Sequence, residues 1–359
     1  MTMSAELLDW LRLTLTPGVG PAAARTLLAA FGSPEAVLNA GAPLLRQRVA
    51  REVADAVVAG PPKDVVEIAC RWADAPGNHI LTLADTAYPR PLLETADPPV
   101  LLYAKGRLEL LDNNAMAVVG SRNATPQGMA TARNFSRSLG DAGLTIVSGL
   151  ALGIDTAAHE GGLLSRSSTI AVTGTGLDTV YPSRNRELAH RIAADGLLLS
   201  EFPLGTGVAA WNFPRRNRLI SGLARGVLVV EAAVRSGSLT TARLAAEQGR
   251  EVFAIPGSIH SPVSRGCHAL IRQGAKLVER AEDVLEELRM QWTPVMPVPV
   301  DESAADDPIL HQLGHDPCTL DELARRTGMA ADALSARLLE LELAGAVATL
   351  PGNRVQRMP

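Results

Sequence analysis

Met116-Ala117-Val118-Val119-Gly120-Ser121-Arg122 runs four apolar residues straight into a glycine, a hydroxyl and a cation. An apolar run of this length, closed by glycine, reads as a strand buried on both faces. The unit recurs at Ile146-Val147-Ser148-Gly149, Ala171-Val172-Thr173-Gly174 and Ile255-Pro256-Gly257. Strands are expected at 116–119, 144–147, 169–172, 196–199, 227–230, 251–255 and 276–278, and helices at 127–142, 186–195 and 240–248. This alternation specifies an α/β fold: an extended Rossmann-like, doubly wound and mostly parallel sheet with ligands at the carboxyl ends of its strands.

Different patterns flank that core. Leu7, Leu8, Leu11 and Leu15 recur at helical spacing, and Pro17-Gly18-Val19-Gly20-Pro21 turns the chain into a second helix over 22–31. Helix, Gly-x-Gly turn, helix is a helix-hairpin-helix pattern; a bare helical bundle fits it equally. A further helix pair is expected up to Val58, ended by Gly60-Pro61-Pro62. At the other end, 309–313, 319–327 and 331–344 read as three helices, followed by a hairpin around Pro351-Gly352, which makes a winged helix. Its third helix sets Arg337 against Asp332, Glu340 and Glu342, which favours a protein contact over DNA. The expected domains are 1–75 (helical, SAM-like or helix-hairpin-helix), 76–290 (Rossmann-like), 291–308 (linker) and 309–359 (winged helix).

Net charge is −4 overall, but the sign is uneven: residues 1–114 carry −3, 115–289 carry +4 and 290–359 carry −5. A basic centre between acidic ends suits local binding of phosphates and limits non-specific attraction. Cys70, Cys267 and Cys318 form no CxxC pair, so neither disulfides nor a zinc site is expected and a reducing cytosol is the default. No apolar run reaches membrane-spanning length, and Glu6 and Asp9 argue against a signal peptide.

Phe213-Pro214-Arg215-Arg216-Asn217-Arg218 concentrates three guanidinium groups beside a ring, in a chain with three lysines. Arginine forks match phosphate oxygens, and a ring offers a face to a base. Gly120, Ser121 and Arg122 are candidates for holding a phosphate where the next helix opens, as are Ser236, Gly237, Ser238 and Thr240. Gly149, Gly153, Gly174 and Gly176 allow close approach, Arg184 and Arg186 supply charge, and Trp211 is either a second ring or packing. Absence of GxGxxG and of an acid after the second strand argues against NAD, and no cofactor is expected. Asp155 and His159, one helical turn apart, are either an acid–base pair or a helix cap with a core histidine. Glu201 and Glu231 are either a catalytic carboxylate pair or partners that orient arginines of the cluster.

In order, VVGSR (118–122), SGLALGID (148–155) with His159, TIAV (169–172), GTGLD (174–178) then YP (181–182), SEFP (200–203), FPRRNRLISGL (213–223), VVEA (229–232), SGSLTTA (236–242), EVFAIPG (251–257) and LIRQGAKLV (270–278) resemble the DNA-processing protein A family, DprA or Smf. The resemblance covers roughly residues 80–288 and fits the domain order. It implies a non-enzymatic, cytosolic protein that binds single-stranded DNA without sequence preference. It further implies delivery of the strand to the recombinase RecA in natural transformation, and a homodimer formed through the Rossmann-like domain. Arg122 and Phe213 match positions implied in backbone contact and base stacking, and Arg216 and Arg218 match the RNR arginines. Ser183 and 209–211 stand where many relatives have lysine, His268 replaces a usual Asn, and Ser165–Ser168 replaces a Gly pair. Two competing functions remain. A nucleotide-cleaving phosphoribohydrolase would need a PGGxGTxxE motif, and Ile255-Pro256-Gly257-Ser258 lacks it. A protein scaffold would make the basic centre incidental.

Overall fold

The computed structural model describes residues 4–290, 307–314, 317–350 and 352–358. The expected linker falls outside these residues apart from Asp307 and Pro308.

Six short helices open the chain: α1 (Ala5–Thr14), α2 (Pro21–Phe31), α3 (Pro34–Asn39), α4 (Ala42–Leu45), α5 (Arg51–Ala59) and α6 (Lys63–Ala73). The turn between α1 and α2 places Gly18 at φ +86, a left-handed conformation that favours glycine. Their apolar faces, including Trp10, Leu11, Leu27, Val37 and Val57, share one core with Ile80, Leu101 and Tyr103. Those last residues belong to β1 (Asn78–Thr82) and β2 (Leu101–Gly106), a hairpin-like antiparallel pair absent from the sequence reading.

After α7 (Arg90–Leu93), β3 (Ala115–Val119), α8 (Pro126–Asp141), β4 (Thr145–Ser148), α9 (Ile154–Leu163) and β5 (Thr169–Val172) alternate as expected. Then follow α10 (Arg186–Asp195), β6 (Leu197–Ser200), α11 (Asn212–Leu223), β7 (Gly226–Val229), α12 (Gly237–Glu247), β8 (Glu251–Ala254), α13 (Arg265–Arg272), β9 (Lys276–Leu277) and α14 (Ala281–Glu287). Strand order is β1-β2-β6-β5-β4-β3-β7-β8-β9. All neighbours from β6 to β9 run parallel, and β2 joins β6 antiparallel.

Every residue of β3, β4, β5, β6 and β7 is buried, because side chains alternate between two covered faces. Ala117, Val119, Val147 and Val229 meet Leu219 and Ile220 of α11 and Ala242 of α12. Met116, Val118, Ile146 and Leu228 meet Phe135 and Leu139 of α8 and Ala157 of α9. Strand order reverses between β3 and β7, so their carboxyl ends splay around a crevice. The C-terminal unit packs α15 (Pro308–Leu313), α16 (Leu320–Thr327) and α17 (Ala331–Leu343) on a sheet of β10 (Cys318–Thr319), β12 (Arg354–Arg357) and β11 (Val347–Leu350), a winged helix with its own core.

Candidate functional site

The β3/β7 crevice opens into a cleft of about 650 Å³. Gly120, Ser121, Arg122 and Asn123 line it from the end of β3, and Ala151 and Asp155 from the start of α9. Phe213, Pro214, Arg216 and Asn217 come from α11, and Arg235, Ser236, Gly237, Ser238, Thr240 and Thr241 from the start of α12. Four helices therefore begin at or beside one hollow, each bringing the positive end of a dipole to it.

One of those helix starts is already occupied by a carboxylate of the protein itself, and a second carries an acid in its own first turn. Glu231, just past β7, accepts from Thr125 N at 2.9 Å and Thr125 Oγ1 at 2.6 Å at the N-terminus of α8. A Cβ on Gly128 would collide with that carboxylate, which explains the glycine. This corrects the expectation that Glu231 orients an arginine, while Gly120, Ser121 and Arg122 still face the cleft. At α9, Asp155 accepts from Gly149 N at 3.1 Å and Ala151 N at 3.3 Å, and faces Arg216. Burial pushes both carboxyls above their ordinary pKa, against these hydrogen bonds and, for Asp155, Arg216. The first turns of α11 and α12 contain no acid. At α12 Ser236 already caps Ser238 N, and at α11 Pro214 has no N–H to give, so these two starts offer an external anion mainly the positive end of a dipole, with the Arg122 and Arg235 side chains exposed beside them.

The arginine cluster does not act as one patch. On a helix, positions 215, 216 and 218 point in different directions, about 100° apart per residue. Arg216 is buried, its Nη1 donating to Gly149 O at 2.6 Å and to Val172 O, and its Nε to Asn217 Oδ1 at 3.3 Å. It fastens the ends of β4 and β5, and a Cβ on Gly149 would lie 2.7 Å from its guanidinium. Burial pulls its pKa down to about 10, against the attraction of Asp155. Arg218 is turned away, bonding Glu201 Oε2 at 2.5 Å and Asp97 O at 2.9 Å, outside the cleft. Arg215 also reaches Glu201 Oε2, at 3.2 Å, and lies over the Phe202 ring. The phosphate forks expected of Arg215 and Arg218 are thus directed inward at a carboxylate. Only Arg216 touches the cleft, with its Nη1 and Nε already engaged.

Phe213 is half-buried at the rim, its ring resting on Gly174, where a Cβ would come within 3.0 Å. The Arg122 guanidinium lies over it, 5.4 Å from the centroid, and Tyr181 sits 5.7 Å away, tilted 44°. Trp211, read from sequence as a ring or as packing, is 77% exposed.

Other expectations resolve by placement. Gly153, at φ +76, lets α9 start against the Ser121 carbonyl; Gly176 packs against Pro203 O and Asp178 away from the cleft. Arg184 and Arg186 are exposed but do not line the cleft. Glu201 and Glu231 follow β6 and β7 with three strands between them. That is roughly 19 Å at about 4.8 Å per strand, too far for a catalytic pair. Arg235, Asn123 and Asn217 were not singled out from sequence; Arg235 directly precedes the Ser236 cap, which is the signal that could have found it.

His159 is a core histidine. Its Nε2 accepts from Leu150 N at 3.2 Å and its Nδ1 contacts Thr169 Oγ1 at 2.8 Å. Burial, reinforced by Arg216, lowers its pKa to about 3. Below the ordinary histidine range the unfolded chain gains a proton that the folded chain refuses, so stability falls as pH falls. Between pH 6.5 and 5 this amounts to about 2 kcal/mol. Denaturant titrations at both pH values should show a wild-type loss larger by that amount than the loss in His159→Gln. Equal losses would remove His159 as the source.

A sequence model described as DNA recombination-mediator protein A matches residues 79–289. A DprA winged helix domain matches 293–353, and a DprA-like N-terminal HHH domain matches 4–59. Protein Smf of Escherichia coli K12 is 44% identical over 305 residues, 82% of this chain and 82% of that protein. DNA processing protein DprA of Streptococcus pneumoniae R6 is 52% identical over 206 residues, 57% of this chain and 73% of it. The X-ray structure of DNA processing protein A from Streptococcus pneumoniae matches with a TM-score of 0.69 at 38% identity, over 82% of this chain and 100% of that one. DNA processing protein A from Helicobacter pylori, whose structure was described for its single-stranded DNA binding mode, matches with a TM-score of 0.54 at 30% identity, over 60% and 98%. With the central domain and both flanking domains matched in order, the chain belongs to the DNA recombination-mediator protein A family, DprA/Smf.

Proposed function

We propose that this chain binds single-stranded DNA without sequence preference and delivers it to the recombinase RecA in natural transformation and recombination. It does so as a cytosolic, non-enzymatic homodimer joined through the Rossmann-like domain. The observation that carries the DNA reading is a cleft with two acid-free helix starts, two exposed arginines and a half-exposed ring. The backbone runs from the α12 start (Ser236, Gly237, Ser238, Thr240) past Arg235 and Arg122 to the α11 start, while an unpaired base stacks on Phe213 and its neighbour meets Trp211. Duplex hides its bases from those rings, so the rings select the single strand. Arg184 and Arg186 add charge outside the cleft. The winged helix, whose α17 exposes Asp332, Glu340 and Glu342, serves a protein contact.

Fluorescent oligo-dT and its duplex counterpart, titrated over a salt series, test this reading. With two cleft arginines neutralising phosphates, the log–log slope for the single strand is expected between about −1 and −2. Equal, weak binding to both forms would overturn it, and release of free base from nucleoside monophosphates would favour a nucleotide-cleaving enzyme instead.

A further inference from the structure

The helical domain and the sheet enclose a separate hollow of about 220 Å³, which shares no lining residue with the β3/β7 cleft. Val19 and Pro21 wall it where α2 begins, Pro99 and Leu101 where β2 begins, and Pro203 after β6. Two buried polar side chains stand in that apolar lining, Tyr103 of β2 and Glu201 just past β6. Tyr103 is 1% exposed, and its Oη has no hydrogen-bond partner among the described residues. The Glu201 side chain is 2% exposed. Its Oε2 accepts from both Arg215 and Arg218, yet its Oε1 also has no partner among the described residues. Buried polar atoms are nearly always paired, because an unmade bond costs the desolvation of the group. Here two of them border one hollow.

The chemistry narrows what enters it. Arg215 and Arg218 already face two carboxylates, Glu201 and Asp97, so an ion would bring uncompensated charge to a buried place. A carboxylate oxygen only accepts, so the ligand supplies an N–H, while the phenol can give or accept. Prolines and branched aliphatic chains make the walls, which suits a flat, weakly polar body. The volume lies below the ~300 Å³ at which drug-sized pockets begin, so the buried part is of the size of one ring system. We propose that this hollow is a small-molecule site for one nucleobase of the lactam kind (uracil, thymine, hypoxanthine or guanine), its ring N–H given to Glu201 Oε1 and its carbonyl meeting Tyr103 Oη. Arg215, whose side chain is 41% exposed, marks the open side, where a sugar emerges. The occupant touches the start of α2, the sheet and Arg215 together, so it ties the helical domain to α11, the helix that carries Phe213.

Calorimetric titration of the full chain with uridine and with 3-methyluridine tests the site, because the uracil ring of uridine has a single N–H and the methyl group removes it. The methylated nucleoside should bind about 10- to 150-fold more weakly, the share of one hydrogen bond to a charged group. Tyr103→Phe should weaken uridine by about 2- to 12-fold, and the thermal midpoint of the free variant should be unchanged or higher, since only a hydroxyl without a partner is lost. Oligo-dT distinguishes the two sources of such a base: a strand that uses the site displaces uridine, whereas a site for free nucleosides keeps it. Absence of uridine binding at millimolar concentration overturns the proposal, as does equal affinity for the two nucleosides. A lowered midpoint in Tyr103→Phe with unchanged uridine affinity overturns it too, by giving the hydroxyl a structural role.

Discussion

Phe213→Ala is expected to weaken binding of single-stranded DNA by about 5- to 150-fold, the range for losing one base–aromatic stack. The ring packs against Gly174 and Tyr181 at the rim, so its orientation is set before DNA arrives. Such pre-organisation limits the entropy lost on binding. Because Phe213 is only half-buried, its removal should change the thermal midpoint little beside the change in affinity. Arg122→Ala complements this variant: it should flatten the salt slope by about 0.7, one phosphate's share on a single strand, whereas Phe213→Ala should leave the slope alone. Affinity measured in parallel with salt dependence therefore separates ring from charge. If Phe213→Ala binds oligo-dT as tightly as wild type, the rim of α11 is not the stacking surface.

Arg216→Ala should act on stability, not on affinity alone. The guanidinium holds the carbonyls of Gly149 and Val172, at the ends of two adjacent strands, and faces the buried Asp155. Removing it strands two acceptors and an uncompensated carboxyl in the interior, and breaking a buried charged network of this kind costs about 3–5 kcal/mol. Urea denaturation should register the loss, and Arg216→Lys should restore it only in part, since an ammonium can replace Nη1 at the two carbonyls but has no second nitrogen for Asn217 Oδ1. A residue used mainly for phosphate contact would behave differently, losing DNA binding at unchanged stability. That result for Arg216→Ala would return the side chain to the DNA surface.

These two residues also show how far the sequence could be read. The strands at 169–172 and the helix at 186–195 stand where apolar runs and turns placed them, because a strand buried on both faces announces itself locally. β1 and β2 did not: each is a short apolar run in a stretch with many prolines and acids, and they become strands only because β1 pairs with β2 and β2 with β6. The arginine cluster was legible as composition but not as direction. Once Asn212–Leu223 is a helix, its turn sends Arg215 and Arg218 to Glu201 and leaves Arg216 under the cleft. Glu231 illustrates a second limit. Its partner Thr125 lies 106 residues away, and no local pattern could tell a catalytic carboxylate from a helix cap.

That cap has a consequence for what the cleft meets in a cell. Free nucleotides and inorganic phosphate compete for any phosphate cradle on a doubly wound sheet, and at the start of α8 they would have to displace a carboxylate covalently tied to the same chain. A tethered competitor acts at a high effective concentration and cannot diffuse away. Small anions are left with the starts of α11 and α12, whereas a polymer that engages both together with the rings gains from every contact at once. Filling the α8 start from within tilts the cleft away from single phosphates and toward chains.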